Sequence, residues 1–242
     1  PKVGITAYTL KAGDKVEWLY TSDYKQESGG SSMGSGSSSR DPGTKSDKPT
    51  VGIPAEWVNP YTDVQEGDWY FDAVRFVSEK KLFSGMTATE FAPGVSLSRA
   101  MLVTVLWRHE GEPAAAGTSG FPDVKPDAWY TEAVDWASQT DIVSGTGAGF
   151  DPEGSVTREQ IASILYRYAK LKGWDVSKTA SLQDFADGAD TSAWATRAME
   201  WAYAEKLITG KDGNRLDPQG QATRAEVAAI LMRLLESKAE KA

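Results

Sequence analysis

Apolar residues recur with helical spacing behind three tryptophans, Trp69, Trp129 and Trp194. Offsets 0, 4, 7 and 8 from each tryptophan are apolar and would share one face of a helix. A glycine follows each tryptophan at offset 16, just past the last apolar residues, at Gly85, Gly145 and Gly210. The pattern predicts three amphipathic helices that begin at the tryptophans and stop near the glycines.

A second apolar stripe follows in each repeat, behind one of the pairs Ser98-Arg99, Thr157-Arg158 and Thr223-Arg224. Offsets 3, 6, 7 and 10 from each arginine are apolar except for His109, which is predicted to be a structural histidine at the edge of the core. Gln160 and Glu226 complete capping boxes in the second and third repeats, whereas Met101 leaves the first without the return bond. The pattern predicts three longer helices with capped N-termini.

The repeats are too small to fold separately. Their tryptophans lie 60 and 65 residues apart, and a helix–loop–helix unit of that size buries little apolar surface on its own. We therefore expect a mainly α fold in which three repeats, at residues 57–115, 116–178 and 179–242, share one core. The longer helices have the stronger apolar face, so they are expected to form a central three-helix bundle with the tryptophan-led helices outside.

The first 56 residues follow a different pattern. Val16, Trp18 and Tyr20 alternate with other residues as in a half-buried strand, and a single hairpin is not stable alone. Residues 1–27 are therefore predicted to be a β-strand remnant of an upstream domain, in a chain that is a mature form or a fragment. Residues 28–56 are rich in Gly, Ser and Pro, which predicts a flexible linker.

Composition excludes several kinds of site. The chain has no cysteine and one histidine, so disulfides, thiolate catalysis and multi-histidine metal sites are absent, and no cofactor is predicted. Its net charge is −8, which argues against non-specific binding to nucleic acid or anionic membranes. Residues 61–242 hold 19 basic and 27 acidic residues, so the whole net charge lies in the repeats. No run of apolar residues is long enough for membrane insertion.

The second repeat contains five spaced motifs: Phe121-Pro122-Asp123-Val124, Ala128-Trp129-Tyr130, Ile142-Val143-Ser144-Gly145, Phe150-Asp151-Pro152 and Thr157-Arg158-Glu159. Together these motifs resemble those of the S-layer homology (SLH) family. Thr223-Arg224-Ala225-Glu226 has the form most typical of that family. Residues 1–27 also resemble, over a short stretch, the C-terminal end of transcobalamin C-terminal-like domains of secreted bacterial proteins; an arbitrary strand is the alternative.

The SLH resemblance implies a pseudo-threefold spindle of helices on a secreted surface protein. It further implies non-covalent attachment to the secondary cell wall polysaccharide of a Gram-positive cell wall, with a pyruvylated sugar bound in grooves between neighbouring repeats. The implied role is anchoring at the extracellular cell wall or S-layer, without catalysis. A protein–protein scaffold for S-layer assembly, or a non-catalytic fragment of a secreted wall-associated enzyme, are the alternatives. No pair of carboxylates stands out as catalytic against the repeat pattern.

Three arginines, Arg99, Arg158 and Arg224, are the main candidates for binding an anion. Each lies in the first turn of a helix, where the macrodipole disfavours a cation. A planar guanidinium beside free backbone N–H groups suits bidentate recognition of a ligand carboxylate. The alternative is a structural clasp to an aspartate of a neighbouring repeat, and we favour the ligand interpretation.

The other glycan-binding candidates have two interpretations each. The tryptophans are either platforms for sugar C–H surfaces or, as is more usual for a tryptophan that opens a helix, core residues. The aspartates Asp63, Asp123 and Asp187 either accept sugar hydroxyls or cap the outer helices, the role favoured here. The glycines Gly85, Gly145 and Gly210 either admit a ligand to the backbone or stop the helices. The third repeat has Ala195 in place of a tyrosine and one extra residue before Trp194, so we expect one or two grooves to carry most of the affinity.

Overall fold

The computed structural model describes residues 57–211 and 214–239. The predicted strand remnant at residues 1–27 and the linker at 28–56 lie outside the described residues. The described part contains the α-helices α1 (Phe71–Glu79), α2 (Arg99–His109), α3 (Thr131–Gln139), α4 (Arg158–Leu171), α5 (Thr196–Ala204) and α6 (Arg224–Ala239). The mainly α fold with three helix–loop–helix repeats is confirmed, whereas the repeat boundaries stay predictions. None of these helices, the longest of which has 16 residues, is long and apolar enough to cross a lipid bilayer.

The most extensive helix–helix contacts join successive repeats. Each long helix packs against the short helix of the next repeat: α2 against α3, α4 against α5, and α6 against α1. Because the last pair returns from the third repeat to the first, the three repeats close into a ring with pseudo-threefold symmetry.

Backbone hydrogen bonds close the same ring just before the long helices begin. The N–H of Leu97 donates to the carbonyl of Ala222, that of Val156 to Leu97, and that of Ala222 to Val156, at 2.9–3.1 Å between N and O. All three residues are fully buried, so these bonds satisfy backbone groups that water does not reach. The three long helices therefore start from a common centre.

The long helices supply the predicted core, with one exception. The predicted apolar positions of α4 and α6, such as Ile161, Leu165 and Leu231, are buried. Thr157 and Gln160 form the predicted capping box, and Thr223 and Glu226 exchange the same two bonds. Ser98 accepts from the N–H of Met101 without a return bond, as predicted.

His109 lies at the edge of the core, as predicted, but it does not share the burial of the equivalent residues Tyr168 and Leu234. Its side chain is exposed, and its ring contacts the edge of Tyr168 with centroids 6.4 Å apart. The helix α2 ends at His109, whereas α4 and α6 continue past the equivalent residues. A side chain in the last turn of a helix is not covered by a following turn, and here it remains in solvent.

Both predicted ends of the short helices are wrong. These helices begin two residues after each tryptophan, and they end at Glu79, Gln139 and Ala204, several residues before the glycines. The chain leaves each helix through a left-handed residue, with φ of 55–59° at Lys81, Asp141 and Lys206. The glycines at 85, 145 and 210 therefore do not stop the helices.

Candidate functional site

The arginine that opens each long helix is buried and binds the backbone of the next repeat. The three side chains are only 3–5% exposed. Their Nε atoms donate to carbonyl oxygens at 2.8–2.9 Å, from Arg99 to Phe150, from Arg158 to Leu216 and from Arg224 to Phe91. The clasp to a neighbouring repeat that we considered from the sequence therefore exists, although its acceptor is a backbone carbonyl and not an aspartate.

The three aspartates hold the same loop residues from the other side. Asp123 accepts from the N–H groups of Phe150 and Asp151 at 2.8 and 2.6 Å. Asp63 and Asp187 bind the equivalent amides of the first and third repeats. The capping role favoured from the sequence is wrong, since the N-cap residues of the short helices, Tyr70, Tyr130 and Ala195, have no side-chain cap. The aspartate and the arginine thus fix one loop residue by its N–H and its carbonyl, respectively.

The three guanidinium groups differ in how fully they are engaged. Arg158 Nη2 donates to the carbonyl of Thr209 and Arg224 Nη2 to that of Ser84, both at 2.6 Å. Arg99 lies over the Phe150 ring at 4.9 Å from its centroid. Within the described residues, its guanidinium group donates a hydrogen bond through Nε, to the carbonyl of Phe150. Burial lowers the pKa of all three arginines, to about 10 for Arg224. They stay charged at neutral pH, but the protein compensates that charge only in part.

The three tryptophans lie on the surface, contrary to the usual position of a tryptophan that opens a helix. Trp69, Trp129 and Trp194 are 66%, 54% and 59% exposed. Each packs edge-on against the next residue where that residue is a tyrosine, with ring centroids 5.2–5.3 Å apart. Because each indole precedes its helix by two residues, it does not share the buried face of offsets 4, 7 and 8.

Two of these tryptophans border grooves at the junctions between repeats. Groove A, of about 800 Å³, is lined by Trp69 of the first repeat, Arg158 of the second, and Gly210, Lys211, Glu226 and Arg233 of the third, among others. Groove B, of about 430 Å³, is lined by Trp194, Arg99, Gly145, Thr146, Gln160 and Arg167, with others. Each groove therefore brings together one candidate tryptophan, one helix-opening arginine and one candidate glycine, contributed by three different repeats.

The third set occupies equivalent positions. Arg224 reaches the loop just before Gly85 through its bond to Ser84, and α3, which Trp129 precedes, packs against α2. By the pseudo-threefold symmetry, this is the third junction between repeats. Within the described residues, no cluster of His, Cys, Asp and Glu could hold a metal ion.

The repeats that form this ring match a known protein family. The sequence profile of the S-layer homology domain matches residues 60–100, 120–162 and 184–228. The chain belongs to the S-layer homology family. Each of the three matches contains one of the candidate tryptophans and one of the helix-opening arginines.

Curated relatives share this SLH region. The chain is 28% identical to an amylopullulanase of Thermoanaerobacterium thermosulfurigenes over 75% of this chain and 10% of that protein. It is 31% identical to the surface-layer 125 kDa protein of Lysinibacillus sphaericus, over 69% of this chain and 14% of that protein. It is 26% identical to a cellulosome-anchoring protein of Acetivibrio thermocellus, over 60% of this chain and 33% of that protein. The chain thus spans a third or less of the length of these relatives.

These matches define the kind of module. SLH repeats shared with surface-layer and anchoring proteins identify a cell-surface anchoring module, and the predicted location at the cell surface or cell wall is confirmed. The enzyme relative is matched over a tenth of its length, a stretch of 181 residues. That match concerns the SLH region and carries no catalytic residue to this chain.

A second set of arginines at the SLH repeats was not among the candidates predicted from the sequence. Arg108, Arg167 and Arg233 each follow the helix-opening arginine by nine residues and are half-buried. Arg167 and Arg233 line grooves B and A, where their Nη1 atoms donate to the carbonyls of Ile142 and Leu207 at 3.5 and 3.2 Å. Their constant offset of nine residues is visible in the sequence. These arginines lie beside the apolar stripe of each long helix, however, where a charged residue is expected on an ordinary solvated face.

The SLH glycines allow an aromatic ring and a loop to approach the groove backbone. A Cβ at Gly85 would lie 2.7 Å from both Tyr61 Cε1 and the Glu90 carbonyl oxygen. Phe121 and Phe185 stand equally close to Gly145 and Gly210. Sequence spacing alone did not reveal these rings as the partners of the glycines.

Replacing Gly85 by alanine is expected to lower the free energy of unfolding by about 2–4 kcal/mol, because the loop and the Tyr61 ring must move apart. Gly85 lacks a positive φ, so the loss would report steric crowding alone. Chemical denaturation measures it. Gly94→Ala is the control, since a Cβ there meets no atom within 4 Å; an equal loss in the two variants would contradict the explanation.

The pH dependence of stability should include a contribution from Asp123. The N–H groups of Phe150 and Asp151 hold the pKa of Asp123 below its usual range. A carboxyl with a lowered folded-state pKa stabilises the protein above its unfolded pKa and loses that contribution as pH falls through the folded pKa. We therefore expect Asp123→Asn to reduce the stability lost on acidification below about pH 4. Urea denaturation across a pH series measures this, and the exposed Glu153→Gln variant should keep the wild-type slope.

Proposed function

We propose that the SLH module anchors its parent protein non-covalently by binding secondary cell wall polysaccharide in the grooves between repeats. We further propose that the glycan carries an anionic substituent such as a pyruvate ketal. The observation that carries the proposal is the pairing, in grooves A and B, of a largely exposed indole with a buried guanidinium. An aromatic face and a fixed cation together suit a sugar ring that carries a carboxylate.

The exposed indoles support the sugar-binding part. A tryptophan more than half exposed forgoes the burial of a large apolar surface. Three of them at equivalent positions, each at the border of a repeat junction, have no evident role in the core. Stacking of sugar C–H surfaces on these rings would bury that apolar area in the bound state.

The buried arginines support the anion-binding part. Burial lowers their pKa, which means that the folded protein compensates their charge incompletely. A ligand carboxylate would supply that compensation from the groove side while the Nε bond to the loop remains. The net charge of −8 would at the same time discourage non-specific adhesion to other wall polyanions.

The three grooves are expected to contribute unequally. Two equivalent positions differ between the grooves. Lys211 and Glu226 of groove A correspond to Thr146 and Gln160 of groove B. Lys211 Nζ lies 3.4 Å from Glu226 Oε1 and 3.1 Å from Asp217 Oδ2. Because two of the protein's own carboxylates already pair with Lys211 in groove A, we infer that groove B receives the anionic group more readily.

Co-sedimentation of the full chain with purified cell-wall sacculi tests the anchoring function. We expect the chain to pellet with intact sacculi and to stay in the supernatant after hydrofluoric acid has removed the secondary polymer. Retention on stripped sacculi would overturn the proposal and favour a protein or peptidoglycan partner. Release of soluble sugar during incubation would favour an enzyme instead.

A further inference from the structure

One repeat alone contains a buried carboxylate at the start of its long helix, and this carboxylate holds the turn that bears Trp194. Glu159 is the second residue of α4 and is 4% exposed. Its Oε2 accepts from the N–H of Ser192 and its Oε1 from the Ser192 hydroxyl, both at 2.9 Å. The equivalent residues of α2 and α6 are Ala100 and Ala225, which offer no such acceptor.

The turn that Glu159 holds is itself unusual. The third repeat has one extra residue between Asp187 and Trp194, and a short 3-10 helix, Gly188–Asp190, forms there. In the first repeat the corresponding turn supplies its own acceptor, because Asp68 accepts from the N–H of Gln65 at 2.7 Å. In the third repeat Thr191 Oγ1 is buried and, within the described part of the chain, has no hydrogen-bond partner. The acceptor for the Ser192 groups comes instead from the neighbouring repeat.

Burial of the Glu159 carboxylate has a free-energy cost that other interactions must offset. Burying a charge is costly even when it is hydrogen-bonded, and alanine at the same place in α2 and α6 avoids that cost. The N-terminus of α4 lowers the cost for Glu159, since the helix macrodipole favours an anion in the first turn. The bidentate contact fixes Ser192, which stands two residues before Trp194.

The position of the Trp194 ring depends on this backbone. Because Trp194 is 59% exposed, little packing fixes its side chain, and the turn decides where the indole stands relative to Arg99 in groove B. Arg158, the preceding residue, lines groove A. The first turn of α4 thus contributes to two neighbouring grooves.

We propose that Glu159 is a positioning residue for glycan binding in groove B: it clamps the Ser192 turn so that Trp194 faces the ligand. This inference rests on the proposed function, since it assigns Glu159 a role in the affinity of one groove. It differs from a purely structural role in one measurable respect: loss of Glu159 should weaken groove B selectively at temperatures where the protein is fully folded.

Indole resonances provide a readout for each groove. In ¹⁵N-labelled full chain, the Nε1–H signal of Trp194 reports groove B and that of Trp69 reports groove A, each assigned from its Trp→Phe variant. The probe is the polysaccharide released from purified cell walls by hydrofluoric acid. For Glu159→Ala we expect the Kd read at Trp194 to rise about tenfold, as for loss of one well-placed contact, while the Kd read at Trp69 changes less than about twofold.

Two further variants complete the test. Glu159→Gln keeps the shape and one acceptor, so it should bind with intermediate affinity at Trp194 and should fold even if the alanine variant does not. Glu153→Ala removes an exposed carboxylate six residues earlier in the sequence and should leave both constants unchanged. Equal losses at both indoles, or an unchanged Kd at Trp194 in both Glu159 variants, would overturn the positioning role. A wild-type chain whose indoles do not respond to the polysaccharide would instead overturn the proposed function.

Discussion

Replacing Trp194 by alanine is expected to weaken binding to released wall polysaccharide about tenfold, and replacing Trp69, Trp129 and Trp194 together by more than about a hundredfold. Each indole offers a large apolar face that stays in solvent until a sugar covers it. Losses at several grooves on one polymer multiply, because the grooves bind one chain at high effective concentration. Titration calorimetry measures the affinity.

The same variants should remain as stable as the wild type, with unfolding midpoints within about 2 °C, since the rings are mostly exposed. Leu171→Ala is a matched control: it removes an exposed apolar side chain, 46% accessible, that lies outside grooves A and B. Wild-type affinity in the triple tryptophan variant would contradict the assignment of the grooves. A larger effect of Trp194→Ala than of Trp69→Ala would support groove B as the stronger site.

Replacing Arg224 by methionine is expected to lower the free energy of unfolding by about 3–5 kcal/mol. The change leaves the carbonyls of Phe91 and Ser84 without their donor in the interior, and it removes a cation that lies 4.6 Å from the Phe91 ring centroid. The Arg224 side chain joins the third repeat to the first, so its removal weakens the closure of the ring of repeats. Urea or thermal denaturation measures it.

Two companion variants separate geometry from charge. Arg224→Lys keeps the charge but not the planar fork, so it should recover only part of the stability. Arg75→Ala removes an arginine from an exposed pair with Glu79, each side chain being 43% accessible, and should cost less than about 0.5 kcal/mol. If Arg224→Met were as stable as the wild type, the arginine would serve the ligand alone and the structural contact would be incidental.

The repeat period and the faces of the long helices could be predicted from the sequence because both depend on local spacing. The capping boxes at Thr157 and Thr223 and the buried positions of α4 and α6 follow directly from residues three or four apart. Short-range geometry of this kind is encoded in the order of side chains along the chain.

The errors have two physical causes: some concern exactly where a helix begins or ends, and others concern contacts between residues far apart in sequence. A tryptophan two residues before a helix fits the helical period as well as one inside it, so periodicity alone did not reveal its exposure. Asp123 was expected to cap a nearby helix, but its acceptor oxygens are taken by amides 27 and 28 residues away. The double role of Arg158, between a loop and a groove, depends likewise on which repeat becomes its neighbour.

The pairing of α6 with α1 also determines how the module must fold. An open array of repeats can grow from either end and needs capping units at its termini. Here the first and last repeats cover each other, and the Arg224–Phe91 bond spans 133 residues. Each single repeat would leave the apolar face of its long helix without its partner, so the three should fold and unfold as one cooperative unit, at a rate limited by closing that long loop.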